Sequence, residues 1–113
     1  MLTERDFCDY ETCVAFEELG FPIRRIKVKG EEKNVPISLY EAQKWLREEK
    51  GIYVMIEAPW KTDDGLGWSH ICCNKPLTIE DQEVCFATGG FFDSYEEALL
   101  KGIKQAIYIL KEE

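Results

Sequence analysis

The sequence has few of the residues that build a metal site. It contains one histidine, His70, and an odd number of cysteines. The cysteines are Cys8, Cys13, Cys72, Cys73 and Cys85. Their spacings do not match the ligand pairs of a structural zinc site, and adjacent residues in a strand point to opposite faces. We therefore expect no metal and no other cofactor, and we interpret the cysteines as small, buried and reduced side chains.

A secretory leader and a long apolar run are also missing. The chain starts with Met1-Leu2-Thr3-Glu4-Arg5-Asp6, which lacks the basic start and the apolar core of a signal peptide. No stretch approaches the roughly 20 apolar residues that a membrane span needs. We therefore expect a cytoplasmic protein that does not bind a membrane, and its compartment favours free thiols over disulfides.

Basic residues are scarce. There are 14 Lys and Arg against 22 Asp and Glu, which gives a net charge of -8. A field of this sign repels phosphate backbones, so nucleic acid is not an expected partner. The densest basic run extends from Arg24 to Lys29. We interpret it as the solvated face of a strand, with a local basic binding patch as the alternative.

Motifs of catalysis and phosphate binding are not found. The segment Asp64-Gly65-Leu66-Gly67 lacks both the length and the following Lys-Ser/Thr of a nucleotide loop. His70 and Cys72 would share a strand face, but a catalytic thiol also needs an oriented base and an oxyanion donor, and no third residue is marked. We interpret Trp68, His70 and Cys72 as a polar outer face. The sequence does not predict an enzyme.

Apolar residues are present in the proportion that one core needs. The chain has 113 residues, near the commonest domain size, and 45% of them are hydrophobic. No internal stretch is polar and rich enough in glycine and proline to divide the chain. We therefore expect a single domain over residues 1–113, whose core forms without metal ions or disulfides.

The first predicted helix has two possible starts. Thr3 with Asp6 resembles a capping pair, and Asp9 is an equally suitable cap one turn later. Apolar residues then recur among charged neighbours up to Leu19. Gly20 supplies the left-handed residue that ends many helices.

Two further helices are predicted by capping boxes. Ser38-Leu39-Tyr40-Glu41 opens a helix that should run to Lys50, and Ser94-Tyr95-Glu96-Glu97 opens the last one. Apolar residues of the last helix repeat at steps of three and four and form one stripe. Gly102 interrupts this stripe at a cost of about 1 kcal/mol relative to alanine. We therefore expect a strand to cross closely at Gly102.

Four short segments predict strands, because apolar residues alternate in them or turn residues bound them. They are Ile23 to Lys29, Ile52 to Ala58, Gly67 to Cys73 and Glu83 to Ala87, with a polar loop at Gly30 to Pro36. We expect an α+β fold of order α-β-α-β-β-β-α, with helices packed on one face of a small antiparallel sheet. The sheet would be a three-stranded meander, with the first strand as a candidate fourth edge strand.

Two tryptophans flank the turn of the predicted hairpin. Trp60 precedes the turn and Trp68 follows it. Exposed aromatic side chains often anchor partner proteins, so these two residues form a candidate interaction surface. The alternative is cross-strand packing of the two rings against each other.

Several segments resemble a known family. The segments are Leu39-Tyr40-Glu41-Ala42-Gln43-Lys44-Trp45-Leu46-Arg47-Glu48, Lys50-Gly51-Ile52, Trp68, Ser94-Tyr95-Glu96-Glu97-Ala98-Leu99 and Gly102-Ile103. Together they resemble a family of small uncharacterised proteins encoded by bacteriophages and mobile elements of Bacteroidetes bacteria, over most of the chain. The resemblance implies a phage or prophage source and a cytoplasmic setting.

A second resemblance concerns the end of the chain. A strand, a glycine and Ser94-Tyr95-Glu96-Glu97-Ala98-Leu99 are similar to the strand-to-helix junction of HicB-type antitoxins. That family shares a core of three strands and a helix with double-stranded-RNA-binding domains. Where those domains carry lysines at the start of the last helix, this chain has Glu96 and Glu97, which disfavours RNA.

Three functional hypotheses follow from the sequence. The first is a non-enzymatic protein-interaction domain of phage or prophage origin, which acts on a protein partner in the bacterial cytoplasm as a monomer or a homodimer. The second is an antitoxin-like or nucleic-acid-mimicking regulator, whose clustered negative charge occupies a basic groove. The third is a small-molecule enzyme or binding protein, which requires a pocket with converging polar groups.

Overall fold

The computed structural model describes residues 3–62, 65–73, 85–88 and 92–112, which form an α+β fold. The helices are α1 (Tyr10–Glu18), α2 (Leu39–Glu49) and α3 (Tyr95–Glu112). The strands are β1 (Arg25–Val28), β2 (Glu31–Asn34), β3 (Tyr53–Thr62), β4 (Gly65–Cys73) and β5 (Cys85–Thr88). The predicted α+β class is confirmed.

Both predicted starts of the first helix are used, by different elements. The backbone N–H of Thr3 donates to the Asp6 carboxylate at 2.8 Å and closes a single 3-10 turn, Glu4–Asp6. Asp9 then caps α1 by accepting a hydrogen bond from the Thr12 backbone N–H at 2.9 Å. A cap of this kind satisfies one of the donors that a helix start leaves without a partner.

The other two caps are confirmed. The Ser38 hydroxyl accepts from the Glu41 backbone N–H, and the Ser94 hydroxyl accepts from the Glu97 backbone N–H, both at 3.1 Å. The second helix ends at Glu49, one residue before the predicted Lys50, and Gly51 follows with a φ of 69°. A left-handed residue after the last turn is a common way to stop a helix.

The strands form two separate antiparallel sheets. One contains β3, β4 and β5 in that order, and the other contains only β1 and β2. In the larger sheet Val54 lies opposite Cys72 and Ile56 lies opposite His70. The connection through residues 74–84, including the start of the predicted strand from Glu83, lies outside the described residues.

The predicted element order is wrong at one place. Residues 30–36, expected to be a loop, contain the strand β2, and β1 pairs with β2 rather than with the larger sheet. The reason is the two-residue turn Lys29-Gly30, whose φ angles are 52° and 81°. Two positive φ values give the turn type that joins antiparallel strands with the correct twist.

The core lies between α3 and the larger sheet. The fully buried side chains include Phe16, Leu39, Leu46, Leu99 and Ile103. The helix α3 contacts β3 and β4, and α2 contacts both α3 and β3. Gly102 confirms the predicted close approach, because a Cβ built there would lie 2.7 Å from Cγ1 of Val54. No helix in the described ranges has both the length and the apolar character of a membrane span.

Candidate interaction surface

The hairpin formed by β1 and β2 is exposed along its whole length. All eight of its strand residues are exposed to solvent. The apolar side chains of Ile26 and Val28 are 53% and 44% exposed. Among the described strands, β1 and β2 pair only with each other. A two-stranded ribbon without a covered face is marginally stable by itself, so this hairpin depends on its attachment or on a partner.

The two faces of the hairpin have different chemistry. Ile26 lies opposite Lys33 and Val28 lies opposite Glu31, so these four side chains share one face. The other face carries the pair Arg25 and Asn34 and the pair Lys27 and Glu32. The basic side chains of β1, Arg25 and Lys27, therefore share this second face, where Asn34 and Glu32 lie opposite them.

The base of the hairpin is tied to two helices by charged contacts. The Arg24 guanidinium donates to both carboxylate oxygens of Glu41 on α2, at 3.0 and 2.9 Å. Arg25 lies 3.5 Å from a carboxylate oxygen of Glu17 on α1. The backbone N–H of Val35 donates to the Arg24 carbonyl at 2.8 Å, one step beyond the strands. Exposed ion pairs of this kind each contribute little, so they orient the hairpin more than they stabilise it.

An aromatic cluster holds the segment that enters the hairpin. The rings of Phe16, Phe21 and Trp45 contact each other edge to face, with centroids 5.5 to 5.7 Å apart. Such contacts add about 0.5–1.5 kcal/mol per pair to the burial of the rings. Because Phe21 lies just before β1, the cluster fixes the position at which the hairpin leaves the domain.

A second surface feature is an acidic groove at the start of α3. It has a volume of about 720 Å³. Its lining includes the acidic residues Glu4, Asp9, Asp93, Glu96 and Glu97. Burial raises the pKa of Asp9, but hydrogen bonds from Lys104 and Thr12 outweigh it and lower this pKa to about 2. Asp9 is therefore a carboxylate at neutral pH, paired with the Lys104 ammonium at 2.7 Å.

A smaller cavity of about 270 Å³ lies between α1 and the base of the hairpin, and Cys8 and Cys13 both line it. Burial, followed by the neighbouring groups Cys13 and Asp9, raises the pKa of Cys8 to about 12. This thiol is therefore protonated at neutral pH and a poor nucleophile. No group of three or more His, Cys, Asp or Glu residues within the described ranges is arranged to hold a metal ion.

The predicted polar outer face of β4 is wrong. His70 and Cys72 are buried beneath α3, and the Cys72 thiol donates to the Gly102 carbonyl at 3.4 Å. The His70 ring stacks on Phe92 with centroids 5.8 Å apart. The reason is the close approach of α3 at Gly102, where a Cβ would lie 3.0 Å from Cβ of His70. His70 and Cys72 have the residue types of a catalytic pair, but both side chains pack in the interface between α3 and the sheet.

His70 should make stability depend on pH. Burial lowers the pKa of its imidazole from 6.5, although a hydrogen bond with the Ala98 backbone opposes the shift, and Nδ1 has no hydrogen-bond partner among the described residues. The unfolded state then binds a proton more readily, so the unfolding free energy should fall below about pH 6.5, by up to about 1.4 kcal/mol per pH unit.

Urea unfolding of the wild type and of a His70→Gln variant between pH 5 and 8 measures this effect. The variant should lack the slope, because glutamine does not titrate. Asp9 does not interfere, since its pKa is shifted from 3.8 to about 2, and the stability it adds is lost only below this pH range. Equal slopes in both proteins would show that His70 is not the group that titrates.

The two tryptophans occupy different positions in the hairpin of β3 and β4. Trp60 lies opposite Gly67 in the register, so the two tryptophans are not a directly opposed pair. The Trp68 ring is partly buried and contacts Tyr95 edge to face, with centroids 5.7 Å apart. Its backbone exchanges two hydrogen bonds with Phe92. A role of Trp60 and Trp68 in binding stays a prediction.

Comparison with known proteins gives no match to a family model, a curated protein or a solved structure. The site must therefore be judged by its own geometry. The sequence did not indicate β2 as a functional element, because Glu31-Glu32-Lys33-Asn34 has no apolar alternation. The available signal was the two-residue turn Lys29-Gly30 directly after the alternating segment.

Proposed function

We propose that the protein is a non-enzymatic protein-interaction domain of phage or prophage origin that acts in the bacterial cytoplasm, and that the hairpin of β1 and β2 is its binding element. The observation that supports this proposal most directly is the exposure of both faces of the hairpin, with Ile26 and Val28 among the exposed residues. The family resemblance supports the source.

The hairpin offers two kinds of contact to a protein. A strand at the edge of a sheet has a row of backbone donors and acceptors that can pair with a strand of another chain. The side chains of Ile26 and Val28 supply apolar area on one face, and Lys33 and Glu31 lie beside them. Backbone pairing contributes affinity, while the pattern of side chains selects the partner.

Site-specific photo-cross-linking in the bacterial cytoplasm tests the proposal. A benzoylphenylalanine in place of Val28 should form adducts with a discrete protein. The same group in place of Tyr108, which is 61% exposed on α3, is the matched control. We expect adduct mainly from the hairpin position, because the activated group reacts only with a protein that lies against it. Equal yields from both positions would contradict the proposal.

The acidic groove favours a second candidate function, a regulator that presents negative charge to a basic protein. Four of its carboxylates, those of Glu4, Asp93, Glu96 and Glu97, are additional to the Asp9 carboxylate that Lys104 neutralises, and they outnumber Arg5, which also lines the groove. Such a surface would attract a basic partner over about a Debye length. The same cross-linker in place of Glu97 distinguishes the candidates, because a basic protein captured there and not at Val28 would favour the second.

A further inference from the structure

We infer that the free edge of β2 pairs antiparallel with β2 of a second copy of this chain, so that two hairpins form one four-stranded sheet. This inference rests on the proposed role of the hairpin as the binding element. The partner is another molecule of the same protein. Three features support the pairing: the free edge of β2, the charges along it and the apolar face that the pairing completes.

The edge of β2 is open to pairing. Among the described strands it pairs only with β1, and all four of its residues are exposed. Native proteins protect such edges with proline, bulges, short strands or charged side chains. β2 contains no proline and pairs with β1 without a bulge; it is short and charged, but its charges are of both signs, so a strand with the opposite order of charges can pair with it. Lys33 and Glu31 even approach each other, with 3.7 Å between the ammonium and the carboxylate.

The order of charges in β2 complements itself. In an antiparallel pairing centred on Glu32, Glu31 of each copy lies opposite the second copy's Lys33. The pairing therefore contains two opposite-charge pairs. The central Glu32 faces the second copy's Glu32, but Lys27 lies beside each of them in its own hairpin and offsets this repulsion. Directly opposed charges of this kind stabilise or destabilise a pair of strands according to sign.

The edge of β1 does not complement itself in this way. An antiparallel pairing centred on Ile26 would place Arg25 opposite the second copy's Lys27, twice. A pairing centred on Lys27 would place two lysines opposite each other, with Glu32 beside each of them as Lys27 is beside each Glu32 in the pairing of β2. Neither pairing of β1 contains an opposite-charge pair, whereas the pairing of β2 contains two, so the edge of β2 is the better match for a second copy. Because the edge of β1 offers no such match, we expect the assembly to close at two copies.

The pairing also collects the apolar side chains. When a residue lies opposite its own copy, the two-fold axis is perpendicular to the sheet, and a given residue lies on the same face in both copies. Ile26 and Val28 of both molecules would then share one face, with the Glu31 and Lys33 pairs between them. A sheet with more than two strands and an apolar face is stable by itself, whereas a single hairpin is only marginally stable.

Sedimentation equilibrium of the purified full chain tests this pairing. The wild type should show a monomer–dimer equilibrium. Lys33→Glu should weaken the dimer by at least about tenfold, because both opposite-charge pairs become repulsive. Glu31→Lys should do the same. The double variant Glu31→Lys with Lys33→Glu should restore the dimer, because it exchanges the two charges. Lys101→Glu on the exposed side of α3 is the matched control with the same charge change.

A mixing experiment gives a second readout that does not depend on restoration within one chain. Glu31→Lys alone and Lys33→Glu alone should each be mostly monomeric, whereas an equimolar mixture should form a heterodimer of one basic and one acidic hairpin. Circular dichroism of each variant establishes that it is folded. A variant that does not fold is replaced by Lys33→Gln, which should weaken the dimer without introducing repulsion.

Three outcomes would overturn the inference: a monomer at every concentration, a dimer that Lys33→Glu leaves unchanged, or assemblies larger than two copies. Each of these outcomes can be told apart from a failure of the proposed function. If the cross-linker in place of Val28 captures a different protein while the chain is monomeric, the hairpin is still the binding element and only the choice of partner is wrong. If the chain is monomeric and that position forms no adduct, both proposals fail.

Discussion

A Phe16→Ala variant should lose about 3–5 kcal/mol of unfolding free energy, which is the usual cost of removing a large aromatic side chain from a core. Phe16 is fully buried and contacts the rings of both Phe21 and Trp45. Small domains have a total stability of about 5–15 kcal/mol, so the variant should lose a large part of its stability. Urea unfolding followed by tryptophan fluorescence measures the loss.

The matched control for Phe16→Ala is Tyr10→Ala. Tyr10 lies in the same helix, but its side chain is 82% exposed. Its replacement should change the unfolding free energy by less than about 0.5 kcal/mol, as is usual for a surface position. A loss at Phe16 no larger than the loss at Tyr10 would contradict the aromatic cluster described above. It would also remove the reason for a fixed exit of the hairpin.

The aromatic cluster connects stability to the proposed function. Phe21 lies in the segment that leads into the hairpin, and Glu17 on α1 lies beside Arg25 at its base. The side chains of the hairpin itself are exposed and contribute little to the core. A rigid base with an uncovered arm suits binding, because the arm loses little freedom when a partner covers it.

The helix starts could be predicted from the sequence because capping is a local interaction. Asp9, Ser38 and Ser94 each accept a hydrogen bond from a backbone N–H three residues later. The residues that make the contact are therefore neighbours in the sequence as well. The close approach at Gly102 could also be predicted, because glycine in the middle of an apolar stripe is costly without a structural reason.

The hairpin could not be recognised as fully from the sequence. Alternating apolar residues indicated β1, but β2 consists of charged and polar residues that are typical of a loop. Its strand structure is imposed by the turn Lys29-Gly30 and by pairing with β1. The self-complementary order of Glu31 and Lys33 has meaning only when the register and the free edge are known.

The orientation of the His70 and Cys72 side chains was predicted wrongly for a similar reason. Polar residues in a strand usually lie on the solvent side, and Ile71 is the apolar residue between these two. In the structure Ile71 is also buried, so β4 is covered on both sides along this stretch. Alternation of polarity carries no information about orientation in a strand of this kind. The position of Gly102 on α3 decides which side faces the helix.

A Gly102→Ala variant should lose about 1–2 kcal/mol of unfolding free energy, although alanine is the better helix former by about 1 kcal/mol. The new Cβ would lie 2.7 Å from Cγ1 of Val54 and 3.0 Å from Cβ of His70, so either the sheet or the helix must move. Thermal unfolding measures the effect, because each kcal/mol lowers the midpoint by roughly 4–8 °C in a domain of this size.

The companion experiment separates a steric cause from a change in helix propensity. In a Val54→Ala background the closest contact is absent, so Gly102→Ala should cost at least about 0.5 kcal/mol less than it does in the wild type. The contact with His70 would persist and keep the relief incomplete. An equal cost in both backgrounds would show that the strand does not limit the space at Gly102. If Gly102→Ala made the otherwise wild-type protein more stable, α3 would lie further from the sheet than the structure shows. The burial of His70 would then need a different explanation.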